Sequence, residues 1–176
     1  GRTVIVTGAA SGLGREIALE LAASGALVIV SDLKDEACRA VVDEIAAAGG
    51  KAKAFAADVT DEEAMHEMAC FAEKDCGGLH MAVNNAGIGS AGLFVEQDWM
   101  REQELIELNV LAVARLCHAL GADMKRRGSG QILNVASLAA FQPGPLMSNY
   151  FASKAYVLHL SEALRCELAP FGVKVS

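Results

Sequence analysis

The chain has 176 residues, 53% of them hydrophobic but only 5% aromatic, and its 15 basic and 22 acidic side chains leave a formal net charge of −7. That length suits a single domain with a core of Ala, Val, Leu and Ile, and the acidic balance argues against a nucleic-acid binder, which would gather Lys and Arg on one face. Mean hydropathy is +0.31, yet the longest unbroken apolar runs are as short as Ala26–Val30, whereas a membrane-spanning helix needs about 20 apolar residues.

In chain order, a predicted strand at Thr3–Thr7 runs into Thr7-Gly8-Ala9-Ala10-Ser11-Gly12-Leu13-Gly14, and a helix is predicted over 12–24. Gly8 permits a tight turn and Gly12 lets the backbone approach a pyrophosphate. Gly14 allows close packing, and the helix start at Ser11–Gly14, Leu13 included, offers free N–H groups to phosphate. A lone glycine triplet is weak evidence; one that follows a strand, opens a helix and leads to an acid is the dinucleotide fingerprint. That acid is Asp32, 18 residues after Gly14 at the end of the next strand, Leu27–Ser31. A carboxylate there accepts hydrogen bonds from ribose hydroxyls and repels a 2′-phosphate. Ser11 supplies no cation for such a phosphate, although Lys34 is close in sequence, so NAD is expected in preference to NADP.

A helix over 35–48, a strand at Lys51–Ala57, a helix over 61–75 and a strand at Leu79–Asn84 follow. A long helix over 98–126, a strand at Gln131–Ser137, a helix over 150–169 and a strand from Val173 complete the pattern. Asp61 and Asp98 stand where N-caps belong, and Gly49-Gly50 and Gly77-Gly78 where helices stop. Strict β-α-β alternation with strands apolar on both faces predicts an α/β fold, a Rossmann-type doubly wound parallel sheet in three αβα layers over 1–176. Ligands of such folds bind beyond the carboxyl ends of the strands, where strand order reverses. The five cysteines form no CxxC pair and no metal-like cluster with the four histidines. They are expected to be reduced core thiols of a cytoplasmic protein, with no metal site and no signal peptide. Lys125-Arg126-Arg127 reads as a helix C-terminus and not as a nucleic-acid patch.

The TGxxxGxG turn, together with Asn84-Asn85-Ala86-Gly87 and Tyr150-Phe151-Ala152-Ser153-Lys154, resembles the short-chain dehydrogenase/reductase family over essentially the whole chain. The resemblance implies a seven-stranded fold and NAD(P)-dependent oxidation of alcohols or reduction of carbonyls. It implies that Asp58 and Val59 border the adenine, that Asn85, Ala86 and Gly87 line the cofactor, and that Asn84 ties strands together. Asn109, Ser137, Tyr150 and Lys154 match the family's catalytic tetrad, with Asn109 expected to hold a water that links Lys154 to solvent.

Chemistry supports those roles. Hydride transfer to a ketone leaves an alkoxide unless a proton arrives, and Tyr150 can supply it. Lys154, one helical turn on, would favour the phenolate and could also hold the nicotinamide ribose. Ser137 would donate to the substrate oxygen as charge develops. Gly89–Phe94 and Leu138–Asn149, including Gln142, Pro143 and Met147, are expected to line a pocket for a small or medium hydrophobic alcohol or ketone. The alternative is a nucleotide-binding module that senses NAD(H) without turnover. The apolar helices 98–126 and 150–169 suggest a homodimer or homotetramer, without nucleic-acid or membrane partners. Both chain ends fall within predicted strands, so a longer enzyme is expected, with the substrate loop beyond residue 176.

Overall fold

The structure is a computed structural model and describes Gly1–Ser176 throughout. Its residues cluster into two compact units, Gly1–Ala86 and Gly87–Ser176. Six parallel strands flanked by helices form the predicted Rossmann-type, doubly wound fold.

The first unit comprises β1 (Thr3–Thr7), α1 (Gly12–Ala23), β2 (Leu27–Asp32), α2 (Asp35–Ala47), β3 (Lys51–Ala56), α3 (Glu62–Asp75) and β4 (Met81–Asn84). Its strand order is β3-β2-β1-β4. Ile5 pairs with Ile29 on one side and Ala82 on the other. All five residues of β1 are buried, which explains its uninterrupted β-branched sequence: helices cover both faces of a parallel sheet. The chain winds outward from β1 to β3 and then returns to the far side of β1 as β4. The strand order therefore reverses between β1 and β4, where doubly wound sheets hold ligands. The Asp61 side chain accepts from Glu63 N and Ala64 N to start α3, a cap contributing about 1 kcal/mol.

The second unit opens with a 3-10 turn (Phe94–Glu96), followed by α4 (Trp99–Ile106), a π-helical turn (Glu107–Ala112) and α5 (Val113–Arg127). It continues through β5 (Gly130–Asn134), a 3-10 turn (Leu138–Phe141), α6 (Ser148–Leu168) and β6 (Val173–Val175). Asp98 caps α4 at Met100 N, and Gly128 ends α5 in the left-handed conformation after Lys125-Arg126-Arg127. Ile132 of β5 pairs with Val175 of β6. Both join Cys117, Met124, Val157 and Val173 in one apolar core. Each large side chain fully buried there contributes about 1.5–3 kcal/mol.

Four expectations need correction. The single predicted helix 98–126 contains a π turn, because one residue more than an α-turn is fitted around Asn109. The strand expected to reach Ser137 ends at Asn134, and Ser137 instead caps the following 3-10 turn. Cys166 is exposed on α6 and is no core thiol, although Cys38 and Cys117 are buried. The stretch Trp99–Arg127, with mean hydropathy 1.5, is long and apolar enough to cross a membrane, which run length alone did not reveal. Leu105, Ala112, Cys117 and Met124 are nonetheless buried in the second unit, as in a core helix.

Candidate active site

In the first unit the turn after β1 is held by side chains at the ends of β1 and β4. Thr7 Oγ1 donates to Val83 O at 3.2 Å and accepts from Asn85 N at 3.1 Å and Ala86 N at 3.2 Å. Asn85 Nδ2 donates to Thr7 O at 3.0 Å and to Gly8 O at 3.1 Å. These bonds seat Asn85 and Ala86 against the glycine turn. A Cβ on Gly14 would lie 2.2 Å from Gly8 O and 2.4 Å from Asn85 Nδ2, so any side chain there would break the arrangement. Gly12 has φ +53° and nothing within 4 Å of where a Cβ would project. Helix α1 starts without a side-chain cap from Ser11, which leaves first-turn N–H groups such as Leu13's for an anion.

Asp32 ends β2 beside this turn. Its Oδ2 accepts from Ala10 N at 3.0 Å and its Oδ1 from Leu33 N at 2.8 Å. An ionised carboxylate has further lone pairs for ribose hydroxyls. Asp58 Oδ1 accepts from Thr60 N at 2.8 Å and Thr60 Oγ1 at 2.7 Å, which fixes the turn that carries Val59. An uncapped helix start, a bare Gly12 and a strand-end carboxylate fit a dinucleotide.

In the second unit, Lys154 is 7% exposed. Its Nζ donates to Val135 O at 2.9 Å and lies 5.9 Å from the centroid of the Tyr150 ring. Burial holds its pKa below the ordinary lysine value. Asn109 sits in the π turn and is 1% exposed. Its Oδ1 accepts from Ile88 N at 2.9 Å, and its Nδ2 donates to Ile88 O at 2.8 Å and Ser153 Oγ at 3.1 Å. Both amide protons are thus used within the protein, and of this side chain only an Oδ1 lone pair is left for the expected water. A Cβ on Gly87 would meet Asn109 Oδ1 at 3.0 Å and Lys154 Nζ at 3.6 Å, so these groups converge on bare backbone. The Ser137 hydroxyl accepts from Ala139 N at 3.1 Å.

A Cβ on Gly89 would lie 3.6 Å from the Tyr150 ring and 3.9 Å from Met147 Cε, so Gly89 stands against both side chains. Gln142 and Pro143 line a cavity with Phe151, Ala152 and Ala155, and the Phe151 ring meets the Tyr150 ring edge-on with 6.1 Å between centroids. Thr7, Ser153 and the Val135 carbonyl were not singled out from sequence. The first two lie inside the quoted motifs, whereas a backbone carbonyl leaves no sequence signal.

A family model described as short chain dehydrogenase matches residues 2–176. The EphD oxidoreductase of Mycobacterium tuberculosis is 40% identical over 171 residues, 97% of this chain but 29% of that protein. The 7alpha-hydroxysteroid dehydrogenase of Escherichia coli is 36% identical over 176 residues, covering all of this chain and 69% of the relative. A solved structure from Beutenbergia cavernae, named for NAD(P)-dependent gluconate 5-dehydrogenase and holding NADP at low occupancy, superposes with TM-score 0.91 at 39% identity. That match covers 99% of this chain and 70% of the solved one.

Proposed function

The chain belongs to the short-chain dehydrogenase/reductase family, and we propose that it transfers hydride between NAD(H) and a secondary alcohol or ketone, with Tyr150 as general acid and base. The observation that carries this reading is the buried Lys154 amine set over the Tyr150 ring. A cation so placed favours the phenolate needed to take the alcohol proton. The Ser137 hydroxyl accepts from its own turn, which leaves its proton for the substrate oxygen as negative charge develops. Asn109 holds the Ile88 backbone and Ser153 and keeps Gly87 beside Lys154. When bound, the nicotinamide supplies or accepts the hydride. Gly12, Leu13 and Gly14 would hold its phosphates and Asp32 its adenosine ribose. Met147, which like Tyr150 stands against Gly89, favours a hydrophobic substituent on the alcohol.

Two features support NAD over NADP. Asp32 presents a carboxylate where a 2′-phosphate would lie, and Arg15, just past the glycine turn, is engaged by Glu16 and Glu44. Fluorescence titrations with NADH and NADPH, followed by oxidation of cyclohexanol with each oxidised cofactor, test the assignment. Tighter NADH binding is expected, and Asp32→Ala should narrow the preference about tenfold, the loss of one charged hydrogen-bonding contact. A ratio unchanged by Asp32→Ala would overturn the NAD assignment, and failure to bind either nucleotide would overturn the function.

A further inference from the structure

Tyr150 lies in the first turn of α6, and that turn is not capped from within. Met147 makes no side-chain cap hydrogen bond, and the turn contains no acidic residue. A carboxyl group reaches it from another helix. Glu102 of α4 is 2% exposed, and its Oε2 accepts from Asn149 Nδ2 at 2.7 Å. Its Oε1 is buried without a hydrogen-bond partner.

A half-matched carboxyl in a protein interior is unfavourable, and an apolar side chain next to Leu105 would bury more simply. What Glu102 adds is an acidic group at a helix N-terminus, where such groups are favoured, and a fixed acceptor for Asn149. On the other side of Tyr150, Asn109 Nδ2 donates to Ser153 Oγ, and Ser153 Oγ donates to Tyr150 O at 2.7 Å. Both links come from the continuous stretch Trp99–Ala112. Tyr150 is bracketed in sequence by their anchor points, Asn149 and Ser153.

We propose that Glu102 is a positioning residue for Tyr150: through Asn149 it fixes the first turn of α6 and so keeps the phenol beside Lys154. The inference rests on the acid–base reading of Tyr150. It does not make Glu102 a catalytic residue, since the carboxyl acts through Asn149.

The test compares Glu102→Leu, Glu102→Gln, Asn149→Ala and Tyr150→Phe in the full-length protein. The measurements are cyclohexanol oxidation, NADH affinity and hydrogen exchange at the amides of Phe151–Lys154, which bond back to the first turn. Glu102→Leu and Asn149→Ala should lower kcat about ten- to a hundredfold, the effect of a misplaced reacting group. KM and NADH affinity should hold within about twofold. Exchange should quicken at Phe151–Lys154 but not at Val157–Leu168. Glu102→Gln retains an acceptor for Asn149 and should recover most of kcat.

Normal kcat in Glu102→Leu, unchanged exchange in that turn, or a Glu102→Gln as impaired as Glu102→Leu would each overturn the proposal. If Glu102→Leu does not fold, Asn149→Ala decides by the same criteria, and exchange decides if cyclohexanol is not oxidised. Turnover retained by Tyr150→Phe would overturn the acid–base reading and leave the exchange result to judge Glu102. A dead Tyr150→Phe beside an active Glu102→Leu would overturn Glu102 alone.

Discussion

Burial and charge oppose one another at Lys154. The amine is 7% exposed and bonded to the Val135 carbonyl, and burial lowers its pKa from the usual 10.5. Between that lowered value and 10.5 the unfolded chain binds more protons than the folded one, so the unfolding free energy rises with pH. Stability measured against Lys154→Met should therefore shift in favour of the native chain as pH climbs toward 10.5. Denaturant unfolding at a series of alkaline pH values checks this, and a difference that stays flat or falls would contradict it. The same lowered pKa eases loss of the Lys154 proton, which the proposed proton path would use.

At the scale of elements, local signals predicted well where the chemistry is local. Asp61 and Asp98 cap the helices they precede, and Gly128 follows the basic end of α5. The π turn around Asn109 was not legible, because Leu105, Ala112 and Val113 keep an apolar spacing that a helix of either kind satisfies. The end of β5 was missed for a similar reason: Val135-Ala136-Ser137 reads as more strand, and the bonds from Ala139 N and Ala140 N back to Ser137 show the chain turning. The π turn before α5, and α6, also leave apolar side chains outside. Leu111 in the preceding π turn is 44% exposed and Tyr156 is 41% exposed. Pairing of these faces across a two-fold axis would cover them, so the full-length protein is expected to be a homo-oligomer. Light scattering at micromolar concentration should return a multiple of the chain mass, and a monomer mass would contradict it.

At the scale of the whole molecule, alternation of strands and helices made the doubly wound sheet legible, because strands apolar on both faces have few other places to go. The residues that the sequence proposes for the site divide between the two units. Gly8, Gly12, Gly14, Asp32, Asn85 and Ala86 fall in the first unit, and Gly87, Asn109, Ser137, Tyr150 and Lys154 in the second. What the sequence could not show were contacts between distant residues, such as Glu102 with Asn149 or Lys154 with a backbone carbonyl. The cavity that Gln142 and Pro143 line with Phe151, whose ring meets that of Tyr150, likewise appears only in three dimensions. Proton transfer by Tyr150 is the step on which the proposed activity turns. The most direct measurement is alcohol oxidation by Tyr150→Phe beside its NADH affinity: turnover should fall by at least about a hundredfold, the scale of general acid–base catalysis, with NADH affinity nearly unchanged. Turnover retained by Tyr150→Phe would contradict the account.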